Sequence, residues 1–590
     1  MVWVGRPRAC RAARPVAAGG LALAGLLFSV SSFAAIPAVP GDDSRLRRLG
    51  DQEWLRQQER ERAQQEQRQP PAPDVRLESP QAEPQTRLPE TETPCFPIQR
   101  IELTGDSAEA FRWALGAADD GNDPAIGRCL GTTGINLVMR RIQNAIVARG
   151  FVTTRVLATP QDLSQGTLTL TVLPGRIRSL RFSPDSNSRA TRWNAVPARP
   201  GDILNVRDIE QGLENFKRVP TAEADIRIEP ATDEGSGPGD SDLVMDWQQR
   251  FPLRLSLSVD DSGSKSTGKY QGSATVSYDH WWTLNDLFYA SFNHDLGGGE
   301  PGQRGSRGYT LHYEIPYGYW LLGFTSSSYD YHQAVAGANQ TYRYSGNSHN
   351  SDIRLSRLVY RDAVRKTGAY LRGWTRESKN FIDDTEVEVQ RRSMAGWEAG
   401  LTHREFLGEA VFDASVGYRR GTGAMGAISA PEEAFGEGTS RPIILTADAQ
   451  FGLPFRLGPL AMRYGLNWRA QWNRTPLVPQ DRFSIGGRYS VRGFDGEMSL
   501  TGERGWLVRN DLGVTLGQSG QELYLGLDYG QVGGPSSRLL VGDRLAGAVL
   551  GLRGGYRGLS YDVFAGRPIH KPDGFQTAKS TAGFSLSLSY

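Results

Sequence analysis

The sequence predicts an exported chain that ends in a transmembrane antiparallel β-barrel, with two small α/β modules and a polar helix ahead of it. Three observations carry this reading. Beyond Phe251, segments of about ten residues alternate apolar and polar side chains, as strands do when one face meets lipid and the other a polar lumen. The last segment, "TAGFSLSLSY", puts Phe584, Leu586, Leu588 and Tyr590 on one face and stops on an aromatic residue. The first 35 residues have the layout of a secretory signal.

Arg6, Arg8, Arg11 and Arg14 form the basic start of that signal, Val16 to Val30 its short apolar core, and "SSFAA" its cleavage site near Ala34 or Ala35. The apolar run is too short to favour a membrane anchor. Segment 44–68, "SRLRRLGDQEWLRQQERERAQQEQR", is rich in helix-forming Arg, Glu and Gln and offers i,i+4 pairs. Only Leu46, Leu49, Trp54 and Leu55 are apolar there, so the helix has little to bury in a dry core. It suits solvent or a wet polar cavity. Residues 69–94 are dominated by proline and polar side chains and read as an extended linker.

From Cys95 the pattern is that of a folded domain. Residues 95–174 run strand, helix, strand, strand, with Ile135, Val138, Ile142 and Ile146 at helical spacing and Gly150 as a C-terminal cap. Residues 175–248 repeat that order more weakly. Cys95 and Cys129 are the pair left once Cys10 departs with the signal. In an exported protein they predict a structural disulfide worth roughly 3–4 kcal/mol. From 249 to 590 the barrel pattern holds. A closed barrel pairs its last strand with its first, because unpaired backbone is costly in lipid, so Phe584 and Tyr590 mark the closing strand.

Composition excludes several classes. A net charge of +2 gives no electrostatic case for nucleic acid. Mean hydropathy of −0.45 agrees with a barrel whose lumen is polar. There is no G-x-S-x-G, no H-E-x-x-H, no metal-ligand spacing and no complete G-x-x-x-x-G-K-[ST] phosphate-cradling loop, so neither an enzyme nor a metal or other cofactor is expected.

One stretch does not behave like a surface loop. "SIGGRYSVRGFDGE" sets Arg492 between Val491 and Gly493-Phe494. Together with the signal, the polar helix, the proline-rich linker, the two modules and the barrel, it makes the chain resemble the outer-membrane transporters of two-partner secretion, the hemolysin secretion/activation (TpsB) proteins of the Omp85 superfamily. The resemblance implies that the modules are periplasmic POTRA domains, that the barrel has sixteen strands, and that the helix plugs the resting pore. It also implies that loop 481–505 folds back into the lumen, with Val491, Arg492, Gly493 and Phe494 at its tip. The arginine would meet an acid of the wall, Asp528 in "LDYG" first and Asp562 second. A guanidinium suits this role because it takes a carboxylate with two parallel bonds.

The function implied is to take an unfolded secreted exoprotein, an adhesin or hemolysin of the TpsA type, on the POTRA domains and pass it through the barrel. Outer-membrane lipid, the barrel assembly machinery and periplasmic chaperones are the further partners implied. A helix of roughly 36 Å is long enough to cross an apolar band of about 25 Å. Two rivals remain at this level. An assembly factor for other barrels shares the loop motif but usually carries more modules. A passive porin would lack both modules and loop.

Overall fold

The computed structural model describes residues 42–68, 73–77, 87–119, 121–232, 235–337 and 339–590. The signal segment and part of the proline-rich stretch lie outside the described residues.

Helix α1 (Asp42–Arg68) starts two residues before the sequence-based boundary and runs through Gly50. Glycine is poor in a helix interior, but a Cβ at Gly50 would come within 2.5 Å of the Tyr344 hydroxyl oxygen. The glycine therefore lets the helix approach the barrel wall.

The first module is built on α2 (Thr132–Ala148), which lays Leu137, Val138, Ile142 and Ile146 on a three-stranded sheet. In that sheet strand Arg100–Thr104 runs parallel to Thr167–Leu173, and Arg155–Leu157 runs antiparallel to it. Cys95 and Cys129 are disulfide-bonded, with Cα atoms 5.3 Å apart. The second module repeats the plan: α3 (Val206–Lys217) packs on Ile177–Phe182, Ser241–Gln249 and Ala222–Pro230. Asn205 caps α3, its side chain accepting from the Arg207 amide.

Among the described residues, sixteen long strands close into one antiparallel barrel, from β1 (Leu253–Asp260) to β16 (Thr581–Ser589). Alternation decides facing. Leu253, Leu255, Leu257 and Val259 of β1 point outward and are exposed, where a bilayer would cover them. The seam pairs Ser585–Ser589 with Ser256–Asp260, and the Tyr590 and Leu255 backbones exchange hydrogen bonds. The terminal aromatic strand thus completes the wall. Several strands exceed the expected ten residues: β5 (Trp320–Ala336) has 17, β6 (Thr341–Arg361) 21 and β7 (Arg365–Ile382) 18. The first half of β6, "TYRYSGNSHN", lacks apolar alternation. Such a length outruns an apolar band of about 25 Å; beyond it the outward face (Thr341, Arg343, Asn347, His349) meets water while the inward face stays buried at Tyr344, Gly346 and Ser348.

The modules sit at one rim. Gly318, in the turn after β4 (Gly305–Tyr317), donates to the Asn194 carbonyl, and Tyr319 donates to Asp208 of α3 at 2.5 Å. Trp281 and Trp282 stack at this rim and are exposed, as interfacial anchors are.

Candidate functional site

The site lies inside the barrel, where the chain between β11 (Leu460–Asn473) and β12 (Arg504–Thr515) turns inward. A short hairpin, Phe483–Ile485 against Leu500–Gly502, starts the excursion. Its residues form a small dry core: Phe483, Ile485, Val491, Phe494 and Leu500 pack on Leu507, Val532, Leu545 and Phe575 of the wall and its loops. The Phe494 and Phe575 rings meet edge to face at 5.7 Å. Burial of these side chains holds the loop in the lumen before any charge is considered.

Arg492 sits at the tip. Its Nε donates to Asp528 Oδ2 at 2.7 Å and its Nη2 to Asp528 Oδ1 at 2.8 Å, a two-pronged pairing. Its backbone N–H reaches the same Oδ2 at 2.9 Å. Nη2 also donates to Asp511 Oδ1 at 2.6 Å. The Arg492 and Asp528 side chains are only 5% and 1% exposed, so the pair is effectively out of water. Asp528 stands on β13 (Glu522–Gly533), which also supplies room. A Cβ at Gly526 would come within 2.6 Å of Arg492 Nη2, and one at Gly530 within 2.8 Å of Val491 Cγ2. Gly526, Asp528 and Gly530 share the inward face, so the carboxylate is flanked by two gaps, one for the guanidinium and one for the valine. At the tip, Gly493 has φ +93°, a backbone that side chains rarely adopt, and a Cβ there would press on the Arg567 carbonyl.

Asp562 does not pair with the arginine; it accepts from Tyr524 Oη at 2.9 Å, and Asp511 occupies the second position instead. No local motif marks Asp511 in "VRNDLG". Its register opposite Gly526 puts it on the inward face, a signal visible only once strand pairing is known. Phe584 lies on the closing strand and Tyr590 directly follows it, and Cys95 and Cys129 lie in the first module, remote in sequence from the loop.

The loop is tied elsewhere too. Arg488 donates to Asp261 at 2.5 Å and to the Phe584 carbonyl at 2.9 Å. Asp495 accepts from the Ala578 amide. Arg56 of α1 donates to the Gly496 carbonyl at 2.7 Å, so helix and loop touch.

Helix α1 threads the lumen. Glu53 accepts from Tyr329 Oη at 2.9 Å and Thr267 Oγ1 at 3.1 Å. Arg60 donates to Gln271 and to the Ser262 carbonyl, both at 3.2 Å. Arg62 donates to Asp448 at 2.5 Å. Leu49 packs on a cluster of Tyr329, Tyr331 and Tyr344. Trp54 and Leu55 are buried as well; the rest of the grip is polar, as a helix with so few apolar residues requires.

Gly530→Val is expected to leave the barrel closed but expel the loop. The added branches collide with Val491 and Ile485, an overpacking cost of about 1–3 kcal/mol. Limited proteolysis from outside should then cut within 484–497, which the wild type protects.

Residues 239–554 match the family model described as haemolysin secretion/activation protein ShlB/FhaC/HecB. Residues 96–175 match a ShlB-type POTRA domain and 176–230 a POTRA domain. The outer membrane transporter CdiB-2 of Burkholderia pseudomallei is 39% identical over 579 residues, covering 96% of this chain and 98% of that protein. The hemolysin transporter protein ShlB of Serratia marcescens is 26% identical over 445 residues, covering 74% and 76%. The solved structure of CdiB from Acinetobacter baumannii superposes with a TM-score of 0.79 at 32% identity, covering 93% of this chain and 98% of that one.

Proposed function

The chain belongs to the haemolysin secretion/activation family ShlB/FhaC/HecB and is an outer-membrane transporter of two-partner secretion, and from that premise we propose how this molecule moves its exoprotein. The POTRA domains hold an unfolded exoprotein of the adhesin or haemolysin class in the periplasm. Their sheet edges, such as Ala222–Pro230 in the second domain, accept an extended segment by strand addition. The lumen conducts the chain outward with no catalytic step, and folding outside keeps it from returning. Outer-membrane lipid surrounds the wall, and chaperones and the barrel assembly machinery bring the transporter to its place.

Helix α1 is the resting plug and leaves toward the periplasm on the proline-rich linker. The Arg492–Asp528 pair locks the inserted loop. The observation that carries this reading is the grip on α1 inside a closed wall: Glu53, Arg60 and Arg62 bond to the lumen, and the apolar seat is confined to Leu49, Trp54 and Leu55.

The test is co-expression with the cognate exoprotein. Excising residues 95–248 is expected to abolish exoprotein in the medium while the barrel persists in the outer membrane. Unchanged export without the POTRA domains would remove their assigned role.

A further inference from the structure

Part of the linker is seated rather than free. Asp74–Leu77 runs extended along α3 of the second POTRA domain. Val75 and Leu77 pack against that domain's core, while their amides donate to Glu214 Oε1 at 3.0 Å and Glu210 Oε1 at 2.8 Å. These carboxylates lie four residues apart on one helix face. The barrel clamps the segment from the other side. Arg361, at the end of β6 and 3% exposed, donates to the Val75 carbonyl at 2.7 Å and to both glutamates. Asp74 binds Lys366 and Arg404, each at 2.7 Å, and the Arg76 guanidinium lies 3.9 Å from the centre of the Phe406 ring. Burial pushes the Asp74 carboxyl up, but Lys366 and Arg404 overcome this and hold it below the usual carboxylate range.

This seat limits the plug. Arg68, the last residue of α1, is five residues from Pro73, a reach of at most about 18 Å when fully extended. A helix of 27 residues is about 40 Å long and must travel roughly that far to clear the lumen. With Asp74–Leu77 seated it cannot. The next hold among the described residues is at Leu88, whose amide donates to Asp123 at 2.7 Å. Measured from there the tether reaches about 70 Å, which is enough.

We propose that Asp74–Leu77 is an autoinhibitory latch, occupying a seat on the second POTRA domain that an extended exoprotein segment takes over, and that its displacement frees the plug. The occupant is specified by the present one: a strand-like stretch with apolar side chains at alternate positions, which fill the places of Val75 and Leu77, and main-chain amides aimed at Glu210 and Glu214. The proposal rests on the reading that the plug leaves during secretion.

Two cross-links separate the latch from that reading. Arg76→Cys with Phe406→Cys, joined through two disulfides by a short bis-methanethiosulfonate reagent that releases methanesulfinate, holds the latch shut. Arg62→Cys with Asp448→Cys, joined likewise, pins the helix to the wall. Both are expected to stop secretion, with recovery on reduction. The closed latch is also expected to weaken binding of purified unfolded exoprotein to the full transporter by about tenfold, the equivalent of 1.4 kcal/mol. Secretion blocked by the helix link but not by the latch link overturns the latch and leaves plug exit standing. Secretion blocked by neither overturns plug exit and the latch with it. Undiminished exoprotein binding to the closed latch overturns the shared seat.

Discussion

Arg492→Ala is expected to remove the exoprotein from the medium while the barrel remains assembled in the outer membrane. The arginine closes a two-pronged bond with Asp528 and a further one with Asp511 in a place almost without water. Removing it strands the Asp528 carboxylate, at a cost of about 3–5 kcal/mol in a dry setting. Asp528 keeps the backbone N–H of residue 492 and lies near Arg509, so the lower end of that range applies. Even this shifts the population of inserted loop by about a hundredfold. Arg492→Lys should fail almost as badly, since an ammonium cannot make two parallel bonds. Asp528→Ala should match Arg492→Ala, and the double variant should be little worse than either, as expected of one shared interaction. Losses that simply add would show that the two residues act separately.

Deleting residues 42–68 is expected to leave a steadily conducting pore. The helix is held by contacts from Glu53, Arg56, Arg60 and Arg62 to the wall, its loops and the inserted loop. At about 1 kcal/mol net for each such bond, several together bias the lumen toward the plugged state by about a thousandfold. The wall hydrogen-bonds to itself strand by strand, so the barrel survives the loss and its polar lining hydrates. Bilayer recordings should show large, long-lived openings in place of rare brief ones, and cells should admit bulky antibiotics that the outer membrane normally excludes. A deletion variant as quiet as the wild type would mean that another element seals the lumen.

Much of this architecture is legible in the residues. The membrane strands announce themselves because lipid on one side and polar lumen on the other impose a period of two, as in Leu253, Leu255, Leu257 and Val259. The far half of β6 is silent because its outward face has left lipid for water, so no apolar face marks the period. Within the site, the loop tip and Asp528 stand in recognisable motifs, whereas Asp511 depends on a strand register that no local pattern reveals. Gly50 lies inside the predicted helix without a local reason, and the reason for it is a tyrosine hydroxyl nearly three hundred residues away in sequence. The seat of Asp74–Leu77 is hidden for the same reason. "APDVRL" reads as featureless extended chain, and its partners Glu210, Glu214, Arg361 and Arg404 come from three separate elements.

The most direct measurement is to trap the exoprotein in transit. A photo-cross-linking residue is placed at Tyr289 or Arg372, which line the lumen, and in a separate variant at Leu527, which faces outward. Translocation is stalled with a folded domain fused to the trailing end of the exoprotein. Adducts at Tyr289 and Arg372 but not at Leu527 are the predicted result. Adducts at Leu527 with none in the lumen would contradict passage through the barrel.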